Sequence, residues 1–152
     1  MPASFDKLGI SFQYPDNWTL DEADALAGRR SVTVYSPGGA FWCVAMYPRS
    51  VDPLGLARSV VDAMREEYAE VEAEEICETL AGCQLTGYDL NFYCLDLTNS
   101  AQVRSLRIGQ TTYSIFCQAE DREFARVQRV FQAITCSLLG GLPGQETDSK
   151  RL

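Results

Sequence analysis

The sequence contains no histidine, no pair of cysteines with CxxC spacing, and no apolar run of about 18 residues. Without histidine, Ser-His-Asp and Cys-His nucleophile pairs are excluded, and the usual general base near neutral pH is missing. The common ligand patterns of a zinc site are missing as well. We therefore predict no metal, no cofactor and no membrane-spanning helix.

Basic residues are also scarce. The chain has 13 Lys and Arg against 21 Asp and Glu, which corresponds to a net charge of −8. This balance argues against binding to nucleic acid or to anionic membranes, so we expect any charged partner to be basic. The N-terminal residues do not show the basic and then apolar pattern of a secretion signal. We therefore expect a cytoplasmic protein.

The cysteines are scattered singly through apolar segments, at Cys43, Cys77, Cys83, Cys94, Cys117 and Cys136. A core of this size needs no covalent bridges, and no secretion signal is predicted. We therefore predict reduced thiols that act as small buried hydrophobic groups. Cys43, in the apolar stretch FWCVAMY, is predicted to be a core residue, because a nucleophilic cysteine needs exposure and an activating cation.

The chain length predicts one domain. A hydrophobic content of 46% over 152 residues is enough for a single continuous core, which we place in residues 1–139. The last residues, GGLPGQETDSKRL at 140–152, have little apolar surface to bury. We expect them to form a flexible C-terminal tail.

Alternating apolar residues predict strands at 10–14, 31–36 and 41–47. The third of these is apolar on both faces and is therefore expected in the middle of a sheet. Pro15 ends the first strand, because proline cannot donate to a strand ladder. Trp18 resumes the apolar parity in a short second strand, which predicts a place in the core rather than on a partner-binding surface.

Two helices and two hairpins are predicted in the rest of the chain. The first helix begins at Asp52-Pro53, an N-cap acid followed by proline, and runs to about residue 69. The second begins near Glu120-Asp121, where acids favour the positive end of the helix dipole. Between them, turns at Ala81-Gly82 and Gly109-Gln110 each join two strands, the second with a loop suited to a type II′ turn. This order of elements is typical of an α+β domain.

The opening stretch GISFQYPDNW, the central helix, the pair of glycine-led hairpins and the final helix ending in VFQAITCSL resemble the Mog/PsbP-like superfamily. The resemblance covers about residues 5–138. It implies an α/β/α sandwich around a central antiparallel sheet of about six strands, with two main helices. PsbP proteins support the oxygen-evolving centre of photosystem II, the Mog branch binds the GTPase Ran, and the chain most resembles bacterial members without an assigned role. No functional residue is carried over from the resemblance.

Charge is unevenly distributed along the chain. No lysine or arginine lies between residues 66 and 103, and seven glutamates fall in the first third of that stretch: Glu66, Glu67, Glu70, Glu72, Glu74, Glu75 and Glu78. The second helix instead carries arginines on one face, at Arg122, Arg126 and Arg129. The glutamates either form a solvated helix end and strand edge, or bind a basic partner or the arginine face of a second copy.

Two classes of function remain open on this sequence. The first is a non-catalytic binding or accessory module that recognises a protein through its acidic surface. The second is a small-ligand-binding protein, or an enzyme, that uses carboxylates in an aromatic-lined pocket. We interpret Pro37-Gly38-Gly39 as a hairpin turn rather than a phosphate-binding loop. We interpret a cluster of acids after the first strand as a solvated loop: Asp16, Asp21, Glu22 and Asp24.

Overall fold

A computed structural model describes residues 1–142 of the chain, and nine strands and three helices follow one another along them. They are β1 Ala3–Lys7, β2 Ile10–Tyr14, β3 Thr19–Asp21, α1 Ala23–Leu26, β4 Ser31–Tyr35, β5 Phe41–Pro48, α2 Pro53–Glu67, β6 Glu72–Leu80, β7 Cys83–Cys94, β8 Leu97–Ile108, β9 Thr111–Glu120 and α3 Asp121–Gly140. No helix within this described range is long and apolar enough to cross a membrane.

Seven strands form one antiparallel sheet in the order β3-β4-β5-β9-β8-β7-β6. The long helices cover its two faces, as adjacent residues of β9 show. Ile115 belongs to the core that contains Phe131 of α3, whereas its neighbour Phe116 packs against the smaller core that contains Val61 of α2. Successive strand residues point to opposite faces, so α2 and α3 lie on opposite sides of the sheet. The predicted α+β sandwich is confirmed.

The first predicted strand lies outside the main sheet. Strand β2 pairs with β1, which the sequence analysis did not predict, in a separate two-stranded sheet that packs on α3. The main sheet has seven strands, where about six were expected, and β3 and β6 form its two edges. Strand β1 was not predicted, because Phe5 is its one large apolar residue and the strand therefore shows no alternation of apolar and polar residues.

Strand β5 lies between β4 and β9, which confirms the central position predicted from its two apolar faces. Trp42 of this strand is fully buried under α3. Its indole Nε1 donates a hydrogen bond of 3.0 Å to the hydroxyl of Thr135. The sheet and the helix are thus joined by a polar contact inside the core, in which a buried donor has a partner.

Both long helices begin where the sequence predicts. The Asp52 side chain accepts from the backbone N–H of Gly55 at 2.8 Å, and Pro53 is the first residue of α2. At the start of α3, the Glu120 side chain accepts from the backbone N–H groups of the second and third helical residues. Helix α3 continues to Gly140, and Leu142 is fully buried. Most of the predicted tail, residues 143–152, lies outside the described residues.

Trp18 lies in the core, as predicted, with 8% of its surface exposed. Its backbone N–H donates to the Pro15 carbonyl at 3.0 Å, which closes the turn after β2. The indole ring meets Phe131 of α3 edge-on at a centroid distance of 5.9 Å. The PDNW turn therefore folds a tryptophan under the last helix, and the next strand begins one residue later at Thr19.

The two predicted hairpins are present as β6–β7 and β8–β9, and Gly109 has the positive φ, 61°, that its turn requires. A third tight connection joins β7 to β8 through Leu95 and Asp96. It was not predicted because its turn contains no glycine and because the first half of β8, LTNSAQ, is mostly polar. Strand β8 therefore begins at Leu97, earlier than the apolar pattern indicated.

Candidate functional site

The glutamate-rich segment forms one edge of the sheet. Glu66 and Glu67 end α2, Glu70 lies in the connection, and β6 carries the other four glutamates. Strand β6 pairs with β7 on one side, and its other side is an open edge of the sheet. We call the exposed members of this set the acidic edge: Glu66, Glu67, Glu70, Glu72, Glu74 and Glu75.

Glu78 differs from the acidic edge because it is held by a buried arginine. Arg104 of β8 is 5% exposed. Its Nε donates to Glu78 Oε1 at 2.7 Å, and its Nη2 donates to Asp89 Oδ1 at 2.6 Å. Its Nη1 donates to the backbone carbonyl of Tyr88 at 3.0 Å. Three neighbouring strands, β6, β7 and β8, are thus joined by one cation.

The charge state of Arg104 follows from this arrangement. Burial lowers the pKa of the guanidinium, but hydrogen bonds and charge attraction from Glu78 and Asp89 outweigh burial and raise it. Arg104 is therefore a permanent cation whose charge is balanced locally. Arg104 was not predicted as a site residue from the sequence. The stretch VRSLRI of β8 contains two arginines, Arg104 and Arg107, and the local pattern does not show which of them is buried.

Glycine is required beside Arg104. Gly87 pairs with Arg104 across β7 and β8. A Cβ atom at this position would overlap the backbone carbonyl oxygen of Val103. The absence of a side chain lets β8 approach β7 closely enough for the Arg104 guanidinium to reach both carboxylates.

A pocket of about 320 Å³ lies between α3 and the sheet next to this network. Glu78, Arg104 and Arg129 contribute charged groups to its wall, and Phe131 contributes an aromatic ring. Glu78 is the one carboxylate among the lining residues in the described part of the chain, and it is bonded to Arg104. The pocket is therefore mixed in charge and largely polar rather than lined by aromatic residues.

The arginines of α3 are exposed, as the helical spacing indicated. Arg122 lies 3.9 Å from Glu120, the acid that caps the helix. Arg129 lines the same pocket as Glu78. The acidic strand and the basic helix face thus meet, at one point, within a single molecule.

Three of the four acids after the first strand have partners, and the fourth, Asp16, is exposed. Asp21 accepts from the backbone N–H of Ala23 at 3.0 Å, Glu22 pairs with Lys7 at 3.0 Å, and Asp24 pairs with Arg29 at 2.8 Å. The short helix α1, which was not predicted, forms there. Within residues 1–142, no three His, Cys, Asp or Glu side chains are grouped so as to hold a metal ion.

All six cysteines are unbridged. Burial raises the pKa of both Cys43 and Cys117 to about 12, so these thiols are protonated and unreactive at neutral pH. The prediction that the thiols are buried holds fully for Cys83 and Cys117, whereas Cys77 is exposed on edge strand β6. The other three are partly buried: Cys43, Cys94 and Cys136. Strand β6 is the outermost strand of the sheet, and the residues around Cys77 in sequence do not reveal that position.

No protein-family model and no curated protein matches the sequence. Solved structures do share its fold. A Bacteroides thetaiotaomicron structure matches 88% of this chain, which spans 46% of that chain's length, at 12% identity and a TM-score of 0.57. The solution structure of cyanobacterial PsbP from Synechocystis sp. PCC 6803 matches 90% of this chain and 90% of its own, at 14% identity and a TM-score of 0.57.

The Saccharomyces cerevisiae Ran-binding protein Mog1p matches 99% of this chain and 94% of its own at 12% identity, with a TM-score of 0.54. At such low identities the likeness concerns the fold alone. The chain therefore has the α+β sandwich shared by PsbP and Mog1p. The resemblance inferred from the sequence is confirmed at that level.

Proposed function

We propose that this chain is a non-catalytic binding or accessory module that recognises a basic protein partner through the acidic edge. The observation that carries the proposal is the placement of the six glutamates. They continue from the last turn of α2 onto an open edge strand, with no basic residue among them, and all six are exposed. One protein of this fold, Mog1p, is itself a Ran-binding protein.

The acidic edge would act mainly on the rate and selectivity of association. Exposed ion pairs contribute about 0–1 kcal/mol each, so six of them cannot hold a tight complex alone. Complementary charge instead steers the partner and disfavours acidic competitors. Salt shortens the reach of exposed charges to about 8 Å at physiological ionic strength, so association should slow as salt rises.

Glu78 is assigned a different role in this proposal. Because its carboxylate is bonded to Arg104, it contributes to the sheet rather than to the recognition surface. The three arginines of α3 supply a second version of the proposal, in which the acidic edge of one copy meets Arg122, Arg126 and Arg129 of another.

The test compares two variants that remove the same charge. Glu70→Gln/Glu72→Gln/Glu74→Gln neutralises three of the six glutamates of the acidic edge, and Asp6→Asn/Asp16→Asn/Asp62→Asn neutralises three exposed acids elsewhere. Both should fold like the parent. Immobilised parent and control should capture the same protein from an extract of the native cell at low salt, and the edge variant should capture much less.

Equal capture by all three proteins would refute the proposal. Sedimentation of the purified chain at low and high salt tests the self-association version, because a dimer through the acidic edge should be lost in the edge variant and at high salt.

The alternative, a small-ligand-binding protein or enzyme, is favoured by one observation, the pocket beside Arg104. Its free charged group is Arg129, since Glu78 and Arg104 bind each other. A thermal-shift screen of metabolites and metal ions would support this alternative if a compound stabilised the parent and not Arg129→Gln. A cytoplasmic location is proposed with either function, because six unbridged cysteines suit a reducing compartment.

A further inference from the structure

The tip of the β7–β8 hairpin, residues 93–97, exposes three large apolar side chains. Tyr93 is 61% exposed, Leu95 91% and Leu97 48%. Four other large apolar side chains are exposed in the described part of the chain, and they are distributed over four separate elements or connections: Met1, Leu26, Tyr35 and Tyr47. The hairpin tip is therefore the one place in residues 1–142 where such side chains are concentrated.

The backbone of the hairpin tip is unfavourable for leucine. Leu95 and Asp96 have φ values of 51° and 63°, the left-handed region in which two-residue hairpin turns strongly prefer Asn-Gly or Asp-Gly. Aspartate tolerates this region, whereas leucine does so poorly. Leu8 also has a positive φ, 59°, but it packs against the main core and is followed by glycine. Leu95 has neither compensation.

The hairpin tip stands next to the acidic edge. Phe92 is buried at its base, where the ring of Tyr68 lies 4.5 Å away, and Tyr68 directly follows Glu66 and Glu67. On the other side, Asn91 pairs with Glu72 of β6. Leu95 lies four residues further along, about 13 Å at the rise of a strand. The apolar projection therefore carries one carboxylate of its own, that of Asp96, and extends from the end of the sheet at which Glu72 of the acidic edge lies.

We infer that the hairpin tip is the apolar anchor of the recognition surface, and that its partner is a protein with an apolar socket bordered by lysine or arginine. This inference rests on the proposed function and supplies what that proposal lacks, because charge alone steers association without holding it. Protein interfaces bind mainly through a buried centre of large side chains inside a polar rim. The carboxylate of Asp96 and those of the acidic edge fit a basic rim and repel the surface of an anionic membrane.

The strain at Leu95 supports a functional role. A leucine that is exposed and held in a left-handed conformation adds nothing to folding that asparagine would not provide better. Strained residues that folding does not explain cluster at binding sites. In the complex, burial of Leu95 would offset the cost of its conformation.

The test uses Leu95→Asn, a change suited to the turn, with Leu26→Asn as the matched control at another exposed leucine. Both variants should keep the parent's melting temperature, and Leu95→Asn is expected to raise it if it changes at all. The protein captured by the parent, identified by mass spectrometry and purified, is the probe for titration. Leu95→Asn should weaken its binding about 10-fold or more, whereas Leu26→Asn should bind like the parent.

The other outcomes separate this inference from the proposed function. If the Glu70, Glu72 and Glu74 variant loses binding while Leu95→Asn binds like the parent, the anchor is refuted and the proposed function stands. If neither the glutamate variant nor Leu95→Asn changes binding, both the anchor and the proposed function are refuted. Two further results would replace the partner: a dimer abolished by Leu95→Asn identifies a second copy, and Leu95-dependent binding to vesicles with phosphatidylserine identifies a membrane.

Discussion

The charges around Arg104 should contribute unequally to stability, depending on which charge is left without its partner. Arg104 is 5% exposed, whereas the side chains of Glu78 and Asp89 are 34% and 36% exposed. Removal of both carboxylates, by Glu78→Gln with Asp89→Asn, leaves a buried cation without a counter-charge. The expected cost is about 3–5 kcal/mol of unfolding free energy, because water cannot hydrate the guanidinium.

Removal of the cation should cost less. In Arg104→Met, two charge-assisted hydrogen bonds of about 1.5–3 kcal/mol each are lost. The two carboxylates, about one third exposed, regain hydration, and methionine fills much of the apolar volume of the arginine stem. We expect a net cost of about 1–2 kcal/mol. The triple variant, Arg104→Met with Glu78→Gln and Asp89→Asn, should be more stable than the double variant because no charge remains.

Urea unfolding followed by circular dichroism measures these differences without adding salt, which would screen the charges under test. The decisive comparison is the order of stability: parent, then Arg104→Met and the triple variant, then the double variant. Two results would refute this reasoning: a double variant as stable as Arg104→Met, or a triple variant no more stable than the double variant. Either result would mean that Arg104 does not need the two carboxylates to balance a buried charge.

Two further predictions concern the core and the thiols. Trp18→Ala should cost about 3–5 kcal/mol and lower the melting temperature by roughly 10 °C or more, whereas Leu26→Ala, at a residue 79% exposed, should change it little. Equal melting of Trp18→Ala and the parent would place Trp18 on the surface. In the folded protein a thiol reagent should react rapidly with Cys77 and slowly with Cys43 and Cys117; rapid reaction of all six would contradict the burial of these two. Burial raises the pKa of the Cys43 and Cys117 thiols from 9.0 to about 12, so these thiols ionise at lower pH in the unfolded chain than in the folded protein. The free energy of unfolding should therefore fall as the pH rises from 9 towards 12, by about 1.4 kcal/mol per thiol at pH 10. A Cys43→Ala/Cys117→Ala variant whose urea stability falls equally between pH 8 and pH 10 would contradict this.

Much of the architecture could be predicted from the sequence, because the signals concerned were local. The Asp52-Pro53 cap and the Glu120 cap act within one helical turn, so the starts of α2 and α3 were predicted correctly. Gly109 encodes its turn by its own conformational freedom. Trp18 is buried as predicted, although it lies in the turn before β3 and not in a strand, and its backbone bond to Pro15 is local. In each case the physical cause lies within a few residues of its effect.

The candidate surface could be predicted only in part. The sequence showed that glutamates 66–78 are concentrated and unpaired with nearby bases, but not that Glu78 is bonded to an arginine 26 residues away. It gave no sign that β6 would be an edge strand, which depends on the order of all seven strands. The exposed hairpin tip was missed for a similar reason. Residues such as Leu95 resemble core residues by composition, and only the position of the turn shows that no element covers them.

By itself, the sequence determined the fold class, the two main helices, the two glycine-led hairpins, the burial of Trp18 and the uneven charge. The tertiary structure alone decided the separate β1–β2 sheet, the Arg104 network with Gly87 beneath it, the exposure of Cys77 and the juxtaposition of the hairpin tip with the acidic edge. Caps, turns and apolar periodicity act through neighbours along the chain, whereas these other features depend on which strands lie side by side and on the register in which they pair. That register brings together residues far apart in sequence, and it results from the packing of the whole sheet between α2 and α3.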